Sequence, residues 1–163
     1  MNTQTEWSAD QHQKTKKERK KVLKVYDQKP TSAYVGASWA ALLIGITSYC
    51  IGLWNVEMQL NEKGYYFTVL LFALFSVISV QKSIRDRLEG IQVTEIYYSI
   101  SWFTTIASIV LLVVGLWNAD LLLSEKGFYG MSFALSIYAA ISVQKNTRDI
   151  EYINRNEEKG EEE

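Results

Sequence analysis

The sequence predicts an all-α integral membrane protein in which four transmembrane helices form two tandem helical hairpin repeats. Three observations carry this reading. A block of about 53 residues occurs twice, offset by 63 positions. Trp39, Gly52-Leu53-Trp54-Asn55, Glu62-Lys63-Gly64, Ile78-Ser79-Val80-Gln81-Lys82 and Arg85-Asp86 answer to Trp102, Gly115-Leu116-Trp117-Asn118, Glu125-Lys126-Gly127, Ile141-Ser142-Val143-Gln144-Lys145 and Arg148-Asp149. Four runs lack any charge, at 35–56, 65–81, 96–119 and 128–144. Finally, the charge is segregated: of the 17 Lys and Arg, only Lys63 and Lys126 fall in the two short hairpin loops.

The elements follow in chain order. Residues 1–33 form a polar, basic arm. A first two-helix repeat occupies 34–88, with spans at about 36–56 and 65–82. Residues 89–96 connect it to the second repeat, 97–151, with spans at about 97–118 and 127–144; an acidic tail, 152–163, follows. Crossing about 30 Å of hydrocarbon takes roughly 17–25 apolar residues, so the first and third runs are ample. The second and fourth sit at the lower limit and gain support from their equivalence to each other. The first apolar run lies too far along, and is too long, to read as a cleavable signal peptide.

Cytoplasmic loops carry an excess of Lys and Arg. Both termini and the central connection are therefore expected in the cytoplasm of a bacterium, with the protein in its inner membrane. The tryptophans agree with this arrangement. Trp39 and Trp54, like Trp102 and Trp117, stand 15 residues apart. That is about 22 Å of helix, which sets each pair near opposite interfaces. Two repeats of two spans each have the same topology, so their relating axis is expected along the membrane normal.

Small residues let membrane helices approach closely. Ala41, Gly45, Ser48 and Gly52 share one face of the first span, and Ser132, Ser136 and Ala139 share one face of the fourth. These are read as internal seams of a four-helix bundle. Asn61-Glu62 and Ser124-Glu125 read as helix starts, with Asn61 and Ser124 as N-caps and the glutamates complementing the dipole. The alternative for this acid–base pair beside Gly is an ion or partner site. Gln81-Lys82-x-x-Arg85-Asp86 and Gln144-Lys145-x-x-Arg148-Asp149 are expected to close the second and fourth helices. Their cations would snorkel to the interface and suit the helix C-termini.

The repeated Gly-Leu-Trp-Asn, Glu-Lys-Gly-Tyr/Phe-Tyr and Val-Gln-Lys-x-x-Arg-Asp segments resemble the YiaA/YiaB two-helix-domain family of bacterial inner-membrane proteins. The resemblance covers about 34–151; the arm at Met1–Lys29 extends beyond it. It implies a multi-pass inner-membrane protein and lends no reaction and no catalytic residues.

Charge and motif content narrow the functional classes. Apart from Lys82 at the very end of the second, no span contains Asp, Glu, Lys, Arg or His, the usual marks of proton relays and ion paths. The single proline is Pro30, the single cysteine Cys50, and the single histidine, His12, lies in the arm. Broken transporter helices, an internal disulfide, metal-ligand spacing and nucleophile–base pairs thus lack sequence support. No catalytic, cofactor-binding or metal residue is assigned, and the protein is expected not to be an enzyme. Lys82, Arg85, Lys145 and Arg148 are the candidate contacts to lipid head groups or a partner. Anionic lipids of the cytoplasmic leaflet are the expected lipid partner, for these residues and for the arm at 14–29. A homodimer or another membrane protein is the expected protein partner, and nucleic acid is not expected. The expected role is a non-enzymatic interaction or membrane-organising component. The rival is a small transporter or channel for a neutral or lipophilic solute, using Tyr49, Ser76, Ser136 and Tyr138 along a dimer interior.

Overall fold

The computed structural model describes residues 29–161. Four helices account for nearly all of them: α1 (Ser32–Asn55), α2 (Leu60–Leu88), α3 (Glu95–Asn118) and α4 (Leu123–Glu161). Residues 33–145 form one compact unit, and the residues from Asn146 onward belong to another. The basic arm through residue 28, with His12, and the end of the acidic tail lie outside the described residues.

Helices α1, α2 and α3 are long and apolar enough to cross a membrane. Helix α4 does not reach the same mark by composition. Its apolar stretch is diluted by Gly127, Gly130, Ser132, Ser136 and Ser142, and its C-terminal third is polar. Of the most apolar window of α2, 44% is buried, against 17% in α1 and in α3. Leu43, Ile44, Ile51, Ile106, Val110 and Val113 are all more than two-fifths exposed, as are the four tryptophans of the apolar helices. Apolar surface on this scale suits lipid rather than water.

The core within 33–145 is crosswise. The first helix of each hairpin sets its glycines against the second helix of the other. A Cβ on Gly52 of α1 would lie 2.7 Å from Phe128 and 3.2 Å from Tyr129 of α4. At the position 63 residues on, a Cβ on Gly115 of α3 would lie 2.8 Å from Tyr65 and 3.2 Å from Tyr66 of α2. Gly45 packs so closely on Ser136 that a Cβ would come within 2.9 Å of its backbone nitrogen. The anticipated seam of small residues is thus real at Gly45, Gly52 and Ser136. Helices α2 and α4 meet through the stacked rings of Tyr66 and Tyr129, 6.2 Å apart. Tyr49 of α1 packs edge-on against Tyr129, and its hydroxyl donates to the Tyr66 carbonyl at 3.1 Å.

Helix ends depart from expectation in two places. Asn61 and Ser124 are not N-caps; they lie in the first turns of helices that begin at Leu60 and Leu123. What closes each start is the glutamate at the third helical position. Glu62 Oε2 accepts the Gln59 backbone N–H at 3.0 Å, and Glu125 Oε2 accepts that of Leu122 at 2.9 Å. This is the glutamate half of a capping box. The second departure is at the other end. Helix α2 stops where Gly90 takes φ of 76°. Its N–H donates to the Arg87 carbonyl and that of Ile91 to the Asp86 carbonyl, a Schellman motif. The corresponding position in the second half is Ile153, which is unsuited to a left-handed conformation, and α4 continues to Glu161. Lys145 and Arg148 therefore lie within a helix, and the expected favourable meeting of these cations with a helix C-terminus does not occur.

Candidate functional site

Crosswise packing creates two like clefts at the hairpin-turn end. One, of about 310 Å³, lies between the end of α1 and the start of α4, lined by Gly52, Asn55, Ser124, Glu125, Phe128 and Tyr129 among others. The other, of about 300 Å³, lies between the end of α3 and the start of α2 and is lined by the residues 63 positions away: Gly115, Asn118, Asn61, Glu62, Tyr65 and Tyr66. Glycine is needed at the base of each because an aromatic ring occupies the space a Cβ would take. Glu57 and Asp120, one from each turn, both line the second cleft.

Polar groups around these clefts are arranged in matching ways. The Asn55 side-chain amide donates to the Ile51 carbonyl at 2.8 Å, and that of Asn118 to Val114 at 2.7 Å. Each asparagine side chain thereby folds back onto the carbonyl one turn earlier in its own helix. Lys63 donates to the Trp54 carbonyl at 3.1 Å and Lys126 to that of Trp117 at 3.4 Å. These lysines, passed over by the sequence reading as loop charges, tie each hairpin shut and put a cation at a negative helix end. Tyr65 adds a bond with no counterpart at Phe128: its hydroxyl donates to the Leu111 carbonyl at 2.7 Å.

Comparison with known proteins supports the architecture. The model of the yiaA/B two helix domain matches twice, over residues 34–86 and 97–149. The chain belongs to that family. Among yiaA/B relatives, the chain is 60% identical over 117 residues to "Inner membrane protein YiaA" of Escherichia coli (strain K12), covering 72% of this chain and 81% of that one. It is 34% identical over 65 residues to "Uncharacterized membrane protein YubF" of Bacillus subtilis (strain 168), covering 39% of this chain and 75% of that one. No solved structure matches. The glycine and asparagine of each Gly-Leu-Trp-Asn segment, and the glutamate and aromatic pair of each Glu-Lys-Gly-aromatic-Tyr segment, line the two clefts.

The candidate basic residues divide into two kinds. Lys82 on α2 and Lys145 on α4 are exposed. The arginines are held by carboxylates: Arg85 meets Asp86 at 2.9 Å and Glu89 at 3.7 Å, and Arg148 meets Asp149 at 3.0 Å. Asp86 thus pairs with its neighbour Arg85, not with Lys82 four residues earlier. Helices α2 and α4 come together at this level, where the Gln144 amide donates to the Ile78 carbonyl at 3.5 Å. Arg87 closes the connection, meeting Glu95 at 2.7 Å and lying 3.8 Å above the Tyr98 ring.

The residues considered for a solute path differ in exposure within one chain. Tyr49, Ser76 and Ser136 are buried, whereas Tyr138 is 65% exposed. Ser76 donates to the Phe72 carbonyl and Ser136 to that of Ser132. The same local bond engages Ser79, Ser83, Ser101, Ser132 and Ser142, the usual resort of serine inside a membrane helix. Among the described residues the buried side-chain atom left without a partner is Gln144 Oε1. Cys50 is partly buried and free.

Proposed function

We propose that the chain spans the inner membrane four times as two equivalent hairpins, with both termini in the cytoplasm. In this reading it is a non-enzymatic interaction or membrane-organising component. Lys82 and Lys145, flanked by Arg85 and Arg148, contact anionic lipid head groups or a partner at the cytoplasmic face. The observation that carries the reading is the contrast between interior and rim. Buried serine hydroxyls are turned onto their own helices, while the two lysines are exposed. Basic groups placed there attract acidic lipid at about 1 kcal/mol each. The fourth crossing is supported by the packing of α4 against α1 and α2; Ser136, a small residue that lowers its apolarity, serves helix contact with Gly45.

The test is replacement of Lys82, Arg85, Lys145 and Arg148 by glutamine, followed by purification in native lipid particles. Anionic phospholipid or cross-linked partner should fall several-fold relative to the unaltered chain, with insertion retained. Unchanged lipid and unchanged cross-links would remove the proposal.

A further inference from the structure

The two hairpins are equivalent in pattern but complementary in detail. The backbones of α2 and α3, from different hairpins, lie side by side, whereas those of α1 and α2, within one hairpin, hardly approach. One buried cluster joins all four helices, with Tyr49 from α1, Leu70 from α2, Leu112 from α3 and Phe133 from α4. At the tightest contact between hairpins the partners are unequal. Gly45 faces Ser136, where a Cβ would come within 2.6 Å of the serine Oγ and 2.9 Å of its backbone nitrogen. The equivalent positions, 63 residues on and back, hold Ser108 on α3 and Ala73 on α2, both wholly buried. Two copies of the second hairpin would set Ser108 against Ser136, with a Cβ in space that glycine alone leaves free. They would also lack the Tyr65 hydroxyl, which donates to the Leu111 carbonyl of the other hairpin, since position 128 is Phe. Two copies of the first would set Gly45 against Ala73 and put Leu70 in place of the Phe133 ring beside Tyr49. Smaller groups at both places leave voids in a close-packed seam, and voids cost stability. One hairpin of each kind has neither the clash nor the voids.

We propose that the first hairpin is a recognition surface for the second, one that holds it without a peptide bond between them and rejects a copy of itself. The chain is a joined pair of unlike partners, and the Gly45–Ser136 seam is where likeness is refused. This inference concerns how the hairpins choose each other and is independent of the lipid contacts of Lys82 and Lys145.

The full chain, with a protease site inserted between Gln92 and Val93, is purified in a maltoside micelle and cleaved once folded. Native mass spectrometry then reads paired and separated halves as SDS is added. The unaltered halves should stay together, with like pairs below about one-tenth of the total. Gly45→Ser builds the seam of two second hairpins into the chain, and Ser136→Ala that of two first hairpins. The former should raise the ratio of separated to paired halves about tenfold, the latter by a smaller factor. Gly45→Ser/Ser136→Ala reproduces the Ser108–Ala73 combination and should return to within about threefold of the unaltered chain, because residues in contact couple. Where Gly45→Ser alone does not fold, recovery in the double variant still decides. Halves that part on cleavage, like pairs as abundant as unlike ones, or a double variant no firmer than Gly45→Ser would overturn the proposal.

Discussion

Individual glycines show how finely the contacts are set. Gly45 and Gly64 are both helical glycines, yet a Cβ on Gly45 meets the Ser136 backbone at 2.9 Å while one on Gly64 meets nothing within 4 Å. Backbone cannot move aside as a flexible side chain can. Gly45→Ala should therefore destabilise by about 1–3 kcal/mol, the range for overpacking. Gly64→Ala should be neutral or stabilise by up to about 1 kcal/mol from helix propensity. Unfolding midpoints of the two variants in mixed micelles check the contrast; equal midpoints would mean that α1 and α4 do not touch at Gly45. The small-residue face of α1 was legible in the sequence because its spacing follows the helical period. Its partner was not. Gly52 and Gly115 face the same choice of aromatic pair, Tyr65-Tyr66 or Phe128-Tyr129, and a duplicated pattern cannot distinguish pairing within a hairpin from pairing between hairpins.

The helices themselves differ mainly in how they end. The sequence places both second helices to stop after the Lys-x-x-Arg-Asp segment, and in α2 this is nearly so because Gly90 adopts φ of 76°. In α4 no glycine stands at the equivalent place, and the helix runs on to Glu161. Position 90 thus decides whether that end terminates. Gly90→Ala should cost roughly 1 kcal/mol, since a left-handed conformation is unfavourable for any residue with a Cβ, and should loosen the Arg87–Glu95 contact beside it. A lower unfolding midpoint, with faster hydrogen exchange at Ile91, is the expected outcome. The starts of α2 and α4 were misplaced by two residues for a simple reason. Asn61 and Ser124 are better caps than Gln59 or Leu122 by side chain alone, but Glu62 and Glu125 at the third position close the turn from the inside. Lys63 and Lys126 were equally hidden: a loop lysine reads as solvated until the Trp54 and Trp117 carbonyls are seen within its reach.

For the whole molecule, the decisive number is how many times the chain crosses. Three helices meet the length and apolarity of a span, whereas α4 buries Ser132, Ser136 and Ser142 and packs Ser136 on Gly45 of α1. Counting apolar residues discounts such a helix, and packing favours it. Three crossings and four place the end of the chain on opposite sides of the membrane, so the two accounts separate cleanly. The measurement is labelling by a membrane-impermeant maleimide of single cysteines at positions 92, 121 and 157, in a chain carrying Cys50→Ser. Four crossings predict that 92 and 157 react only from the cytoplasmic side and 121 only from the opposite side. Reaction of 157 from the same side as 121 would contradict the account.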